Sequence, residues 1–134
     1  MSKLSAFLHP VAVQEEKEVV VSRRFQDEDG KPVPFRIRAL TQEENEALIK
    51  LSRHPKKVNG QWEEELDAME LSARVVVAST LEPDFSNTEL CAQYGVMDPL
   101  LVPRKMLLSG EYGALLQAIN ELSGFGSLED EVKN

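Results

Sequence analysis

The chain has 134 residues, 42% of them hydrophobic and 28% charged, with one cysteine and a formal net charge of −8. This composition is typical of a folded globular domain, and it excludes a disordered chain, an intramolecular disulfide and a metal cluster built from cysteines. The net charge disfavours nucleic acid and anionic membranes as partners, because binding to either depends on neutralising negative charge.

The apolar segments of the sequence are short. A membrane-spanning helix needs about 20 apolar residues, whereas runs such as residues 75–78 are far shorter. His9 and Pro10 interrupt the apolar stretch at the N-terminus, which lacks the apolar core and cleavage site of a signal peptide. We therefore expect a cytoplasmic protein with no membrane partner.

Residues 1–17 are predicted to form a loosely held arm. Leu4, Phe7 and Leu8 have the spacing of one helical turn that docks on the body of the protein, and Pro10 ends this turn.

Residues 18–40 are predicted to form a β-hairpin, because apolar and polar residues alternate on both sides of an Asp29-Gly30 turn signal. The apolar residues fall on one face of the hairpin, namely Val19, Val21, Phe25, Phe35 and Ile37. This face needs a cover, which the helices that follow are expected to supply.

The opposite face of the hairpin carries Arg24, Arg36 and Arg38. Like charges on neighbouring strands repel each other. The three arginines therefore indicate either an acidic or phosphate-bearing partner, or side chains that spread into water.

A helix is predicted over residues 41–54. Thr41 and Glu44 have the spacing of a capping box, in which the hydroxyl accepts from the backbone N–H of residue 44 and the carboxylate reaches back. Pro55 ends the helix, because the residue before a proline is disfavoured in helical geometry.

A longer helix is predicted over residues 62–80, because apolar residues recur there at helical spacing. They are Trp62, Leu66, Met69, Ala73, Val76 and Thr80. The three valines at 75–77 leave a strand open as an alternative. Residues 56–61 are expected to form a basic loop, and its Asn59-Gly60 pair is compatible with a small second hairpin.

Three helical segments are predicted in the last third of the chain, over residues 86–94, 98–108 and 109–123. Their predicted N-terminal caps are Ser86, Asp98 and Ser109. Together these elements predict an α+β fold, in which an N-terminal β-hairpin packs on a mainly α-helical body of four to five helices.

We expect one domain over residues 1–134. It is predicted to consist of the arm (1–17), the hairpin (18–40), a helical body (41–125) and an acidic tail (126–134).

The side chains that could support catalysis are few. His9 and His54 have no histidine or carboxylate cluster at metal-ligand spacing, and the sequence has no glycine-rich phosphate loop. Cys91 lies beside apolar residues in a predicted helix, where a buried and unreactive thiol is expected. We therefore predict a binding protein that is not an enzyme and that has no metal, nucleotide or other cofactor.

Seven segments, in order along nearly the whole chain, carry a resemblance to a known family. They are LSAFL (4–8), VVVSRRFQDEDGKPVPFRIRAL (19–40), TQEENE (41–46), VVVASTLEPD (75–84), YGVM (94–97), MLLSGEYGALL (106–116) and NELSGF (120–125). Taken together they resemble the XkdN-like tail assembly chaperones of phages and prophages of Gram-positive bacteria. Ser109 departs from the proline expected there in this family, but either residue can start a helix.

The resemblance implies a cytoplasmic chaperone for virion morphogenesis that is absent from the mature particle. Its client is the tape measure protein, a long and largely helical chain that is kept soluble until tail tube subunits polymerise around it. In many such phages a longer product, made by ribosomal frameshifting, recruits the tail tube protein. Self-association stays open, and the alternative function is that of a structural tail or head-completion component retained in the phage particle.

The client-binding surface is predicted on the C-terminal helices. Leu115, Ile119 and Leu122 are expected to face the core. The flank beside them is predicted to form a groove for the apolar face of a client helix, and it comprises Met106, Leu108, Tyr112, Leu116 and Phe125. The alternative is that all five residues belong to the core.

Overall fold

The computed structural model describes residues 3–12 and 15–125, and the predicted acidic tail (126–134) lies outside them. The helices are α1 (Lys3–Leu8), α2 (Gln42–Leu51), α3 (Ala68–Ser79), α4 (Thr88–Gln93), a 3₁₀ turn (Pro99–Leu101), α5 (Val102–Met106) and α6 (Ser109–Leu122). The strands are β1 (Glu16–Val19), β2 (Phe35–Arg38), β3 (Arg53–Val58), β4 (Gln61–Leu66) and β5 (Thr80–Glu82). The predicted α+β class is confirmed.

The N-terminal hairpin forms two strands of a three-stranded antiparallel sheet in the order β1-β2-β5. Val19 lies opposite Phe35 in the β1–β2 ladder, and Gly30 has the positive φ of 77° that its turn requires. The third strand, β5, was not predicted. It begins at Thr80, whose extended backbone ends α3, and it pairs with β2 through contacts distant in sequence.

The core lies between the inner face of this sheet and the two long helices. Phe35 and Ile37 of β2 are 2% and 0% exposed, and they belong to one cluster with Val76 of α3 and with Leu115 and Ile119 of α6. The alternating pattern is realised in β2 and the inward stripe in α6, whereas β1 begins at Glu16, inside the predicted arm, and ends at Val19, so that the strand predicted up to Phe25 is shorter than expected. Residues 75–78 are helical, so the alternative strand is excluded.

The prediction of one helix over residues 62–80 is wrong in its first third. Residues 61–66 form β4, which pairs with β3 through a tight turn at Asn59 and Gly60, both with positive φ. The spacing of Trp62 and Leu66 satisfies a strand as well as a helix, because four residues are also two periods of a strand. The small second hairpin is therefore present, and α2 ends at Leu51 rather than near residue 54.

Two predicted caps also differ from the structure. Asn87, not Ser86, caps α4 by accepting from the N–H of Leu90, and the Ser86 N–H donates to Asp84 in the turn before the helix. In α6 the N-terminal cap position is Leu108, and Ser109 is the first helical residue. The carboxylate of Glu111 helps to cap the N-terminal end of α6, because it accepts from the Leu108 N–H at 2.8 Å.

The predicted arm contains α1, but its apolar side chains do not dock. Leu4, Phe7 and Leu8 are 62%, 81% and 63% exposed, so the prediction that they pack on the body is wrong for the described chain. Within the described residues, no helix is long and apolar enough to cross a membrane.

The hairpin arginines bind carboxylates of the same chain. Arg38 binds Glu44 at 2.8 Å, and the forked head group of Arg24 binds Glu111 through both of its oxygens. The third, Arg36, bridges its neighbouring strands by binding Glu16 at 2.9 Å and Glu82 at 3.2 Å. Intramolecular pairing thus offsets the repulsion among these arginines, whose side chains remain 31–47% exposed.

Two of these ion pairs predict a loss of stability in acid. Hydrogen bonds from Arg38 and Arg24 lower the pKa of Glu44 and Glu111, respectively, to about 2. Because these values lie below those of the unfolded chain, the stabilisation is present above pH ~4.5 and is lost as the pH falls toward 2. Circular dichroism melts of wild type and of the Glu44→Gln/Glu111→Gln variant measure this effect. We expect the two melting temperatures to differ at pH 7 and to converge near pH 2, and a constant difference would contradict the assignment.

Candidate protein-binding surface

Met69 lies in the first turn of α3 with 68% of its surface exposed. It borders three depressions that share lining residues and therefore adjoin, with volumes of about 490, 330 and 390 Å³. The first lies between α3 and the β3–β4 hairpin, and the other two lie between α3 and the segment from the 3₁₀ turn to α6. We call this continuous surface the Met69 groove.

The floor of the Met69 groove is apolar and its rim is charged. The apolar lining includes Leu66, Ala73, Leu100 and Leu107, of which Ala73 and Leu107 are buried and Leu66 is exposed. The rim carries Lys56, Glu65, Asp67, Glu70, Asp98 and Arg104, which give it a formal charge of −2. An apolar depression with a charged rim is typical of sites that accept the apolar face of a helix.

Hydrogen bonds fix the walls of this groove. On the hairpin side, Lys56 binds Glu65 at 2.9 Å, and the His54 ring binds Glu70 of α3 at 3.0 Å. On the other side, the Tyr112 hydroxyl lies 2.7 Å from the Ser72 hydroxyl, which joins α6 to α3. The walls are therefore formed in advance, while the flexible thioether of Met69 can adapt to different apolar partners.

The five residues predicted as one groove are divided among four environments. Met106 is 7% exposed and belongs to the core, whereas Leu108 is exposed. Tyr112 is half-buried and lines the Met69 groove. Leu116 and the exposed Phe125 together line a separate depression of about 450 Å³ on α6, which we call the α6 patch.

Sequence reasoning missed the exposure of Met69, because it placed this residue on the buried stripe of a longer helix. A local signal was available in Asp67 and Glu70, which have capping-box spacing. In the structure, Asp67 accepts from the Glu70 N–H at 3.0 Å and starts α3 at Ala68. A helix starting there places Met69 in the first turn, beside the hairpin.

The potential metal ligands are scattered in the described part of the chain, and the cysteine is buried. Among the residues that the structure describes, no group of three or more histidine, cysteine or carboxylate side chains could hold a metal ion. Cys91 is buried, and its thiol donates to the carbonyl oxygen of Phe85 at 3.4 Å. These contacts give the thiol a structural role in the core.

Comparison with known proteins finds relatives over nearly the whole chain. A family model described as phage XkdN-like tail assembly chaperone protein matches residues 4–134. Two proteins of Bacillus subtilis strain 168 align over 138 positions, covering 98% of this chain and 93% of each relative. They are the uncharacterized protein YqbN, 36% identical, and the phage-like element PBSX protein XkdN, 34% identical.

The fold is also shared with a solved structure. The crystal structure of YqbN matches with a TM-score of 0.72 at 32% sequence identity, covering 94% of this chain and 99% of the other. The comparison of structures and the comparison of sequences thus both identify YqbN as a relative.

Proposed function

The chain belongs to the XkdN-like family of phage tail assembly chaperones, and we propose that it binds the tape measure protein of its phage and keeps that protein soluble until the tail tube polymerises around it. The observation that carries the proposal is the Met69 groove. A long client whose helices expose apolar stripes aggregates in water, and a chaperone must cover those stripes reversibly. The groove offers an apolar floor, a polar rim and an exposed methionine for that purpose.

The binding mode follows from the dimensions of a helix. Side chains at positions i, i+4 and i+7 of a client helix lie on one face and are spaced about 5–6 Å apart along it. Three adjoining depressions around Met69 suit a row of such side chains better than a single deep cavity does. Charged residues on the rim can bind the polar flanks of the client helix.

We propose that the α6 patch is a second contact for the same client. Phe125 is 69% exposed and lies with Leu116 beside polar residues of α6, a combination suited to a helix face. A frameshifted longer product would bring the tail tube protein as a further partner. In this proposal the protein acts without catalysis in the cytoplasm of the bacterial host and leaves before the particle is complete.

Two measurements test the proposed function. When the tape measure protein is expressed alone and with this chain, we expect it in the pellet in the first case and in the supernatant in the second. Mass spectrometry of purified phage particles is expected to detect the tape measure protein and not this chain. A client that stays insoluble would contradict the chaperone role, and stoichiometric amounts of the chain in particles would favour a retained structural component.

A further inference from the structure

The N-terminal helix α1 presents an apolar stripe that its own chain leaves uncovered. Leu4, Phe7 and Leu8 follow the spacing i, i+3 and i+4 of one helix face, and they are 62%, 81% and 63% exposed; Val11, beyond the end of the helix, is 87% exposed. A helix of six residues is unstable in water by itself, because the cost of starting a helix exceeds what one or two hydrogen bonds return. The helical form of this segment therefore indicates a surface that covers the stripe.

The Met69 groove matches this stripe in shape and in charge. Its apolar floor suits a short amphipathic helix, as argued above for the client. The arm over residues 3–12 carries Lys3 and no acidic residue, whereas the rim of the groove has a formal charge of −2. Opposite charges at the rim of an interface favour association and fix its orientation.

Within one chain these two surfaces do not meet. Phe7 and Met69 are both largely exposed, and the arm enters the body at the far end of α6 from the groove. The backbone carbonyl of Glu15 accepts from the N–H of Ala39, which follows β2. The next residue, Leu40, donates its N–H to the hydroxyl of Ser123, at the C-terminal end of α6. The groove contacts α6 eleven residues earlier, at Tyr112, which is about 16 Å away along the helix.

We infer that the arm of a second copy of this chain occupies the Met69 groove when no client is bound. Reciprocal exchange of two arms closes a two-fold dimer, in which each groove is covered. The arm then acts as a placeholder, and a client helix must displace it. The inference rests on the proposed function for the identity of the competing ligand, while the dimer itself can be measured without any client.

Sedimentation of the full-length protein tests the dimer. We expect wild type to sediment as a dimer of 15.0 kDa chains, and Phe7→Ser/Leu8→Ser and Met69→Glu each to weaken dimerisation at least tenfold while the circular dichroism spectrum stays that of the folded chain. Met97→Glu is the matched control, because Met97 is 98% exposed and lies outside the groove. A monomeric wild type, or a dimer insensitive to both variants, would overturn the inference.

Cross-linking identifies the occupant and its competition with the client. A mixture of the single variants Phe7→Cys and Met69→Cys is expected to form a disulfide-linked dimer, whereas a mixture of Phe7→Cys and Met97→Cys is not. If the Phe7→Cys/Met69→Cys double variant cross-links only within one chain, the arm covers its own groove and the second copy is wrong.

Co-expression of the tape measure protein with the two cysteine variants is expected to lower the yield of the cross-linked dimer, because bound client displaces the arm. A yield that stays constant while the client remains soluble would overturn the placeholder role and leave the proposed chaperone function intact. Conversely, a client that never becomes soluble would reject the chaperone function and leave the sedimentation result untouched.

Discussion

Replacing Met69 by glutamate is expected to move the tape measure protein from the soluble fraction to the pellet when the two proteins are co-expressed. The side chain lies where all three depressions of the Met69 groove meet. A carboxylate there has to lose water when an apolar client stripe binds, and it adds to a rim that is already acidic. We expect the affinity for the client to fall at least a hundredfold, which corresponds to about 2.7 kcal/mol.

The chaperone itself should tolerate this substitution. Met69 is 68% exposed, and surface substitutions away from special features change stability by about 0.5 kcal/mol or less. The control is again Met97→Glu, which makes the same change of residue and charge at an exposed site outside the groove. If both variants still hold the client in solution, or if Met69→Glu unfolds the chaperone, the Met69 groove is not the client site.

Replacing Tyr112 by alanine is expected to destabilise the chaperone by about 2–4 kcal/mol. Its half-buried ring packs against the core, and its hydroxyl joins α6 to α3 through Ser72 at 2.7 Å. Tyr112→Phe, which removes only this hydrogen bond, should cost about 1 kcal/mol. Urea denaturation followed by circular dichroism measures the unfolding free energies of wild type, Tyr112→Ala and Tyr112→Phe.

Phe125→Ser provides the contrast, because that ring is 69% exposed. We expect its unfolding free energy to stay within about 0.5 kcal/mol of wild type, and the amount of soluble client to decrease. An unchanged amount of soluble client would remove the α6 patch from the binding surface. A large loss of stability would instead show that Phe125 packs in the core.

Local signals in the sequence predicted the elements that depend on neighbouring residues. The capping box of α2 forms as expected, since Thr41 accepts from the Glu44 N–H at 3.2 Å and Glu44 accepts from the Thr41 N–H at 3.1 Å. The first hairpin and α6 likewise follow from periods of two and of 3.6 residues. Each of these patterns involves residues within one helical turn or one pair of strands, so the element can be predicted without knowing the rest of the fold.

The elements that were missed depend on partners distant in sequence. A strand of three residues such as β5 is too short to show a period, and only its pairing with Arg36 and Ile37 of β2 defines it. The strand β4 was taken for helix because the apolar spacing of Trp62 and Leu66 fits both structures. Pairing across the Asn59-Gly60 turn decided between them.

The sequence by itself determined the class of fold, the hydrophobic stripes and the resemblance to a family, because all three are written in the order of residues along the chain. Only the tertiary structure decided which apolar residues are free to bind. Met69 and Met106 are both methionines in predicted helices, yet Met69 is 68% exposed and Met106 is 7% exposed. The difference arises because α5 is packed into the core, whereas the first turn of α3 is held beside a hairpin that leaves its outer side open. Burial is a property of the packing between elements, and no stripe on a single helix specifies it.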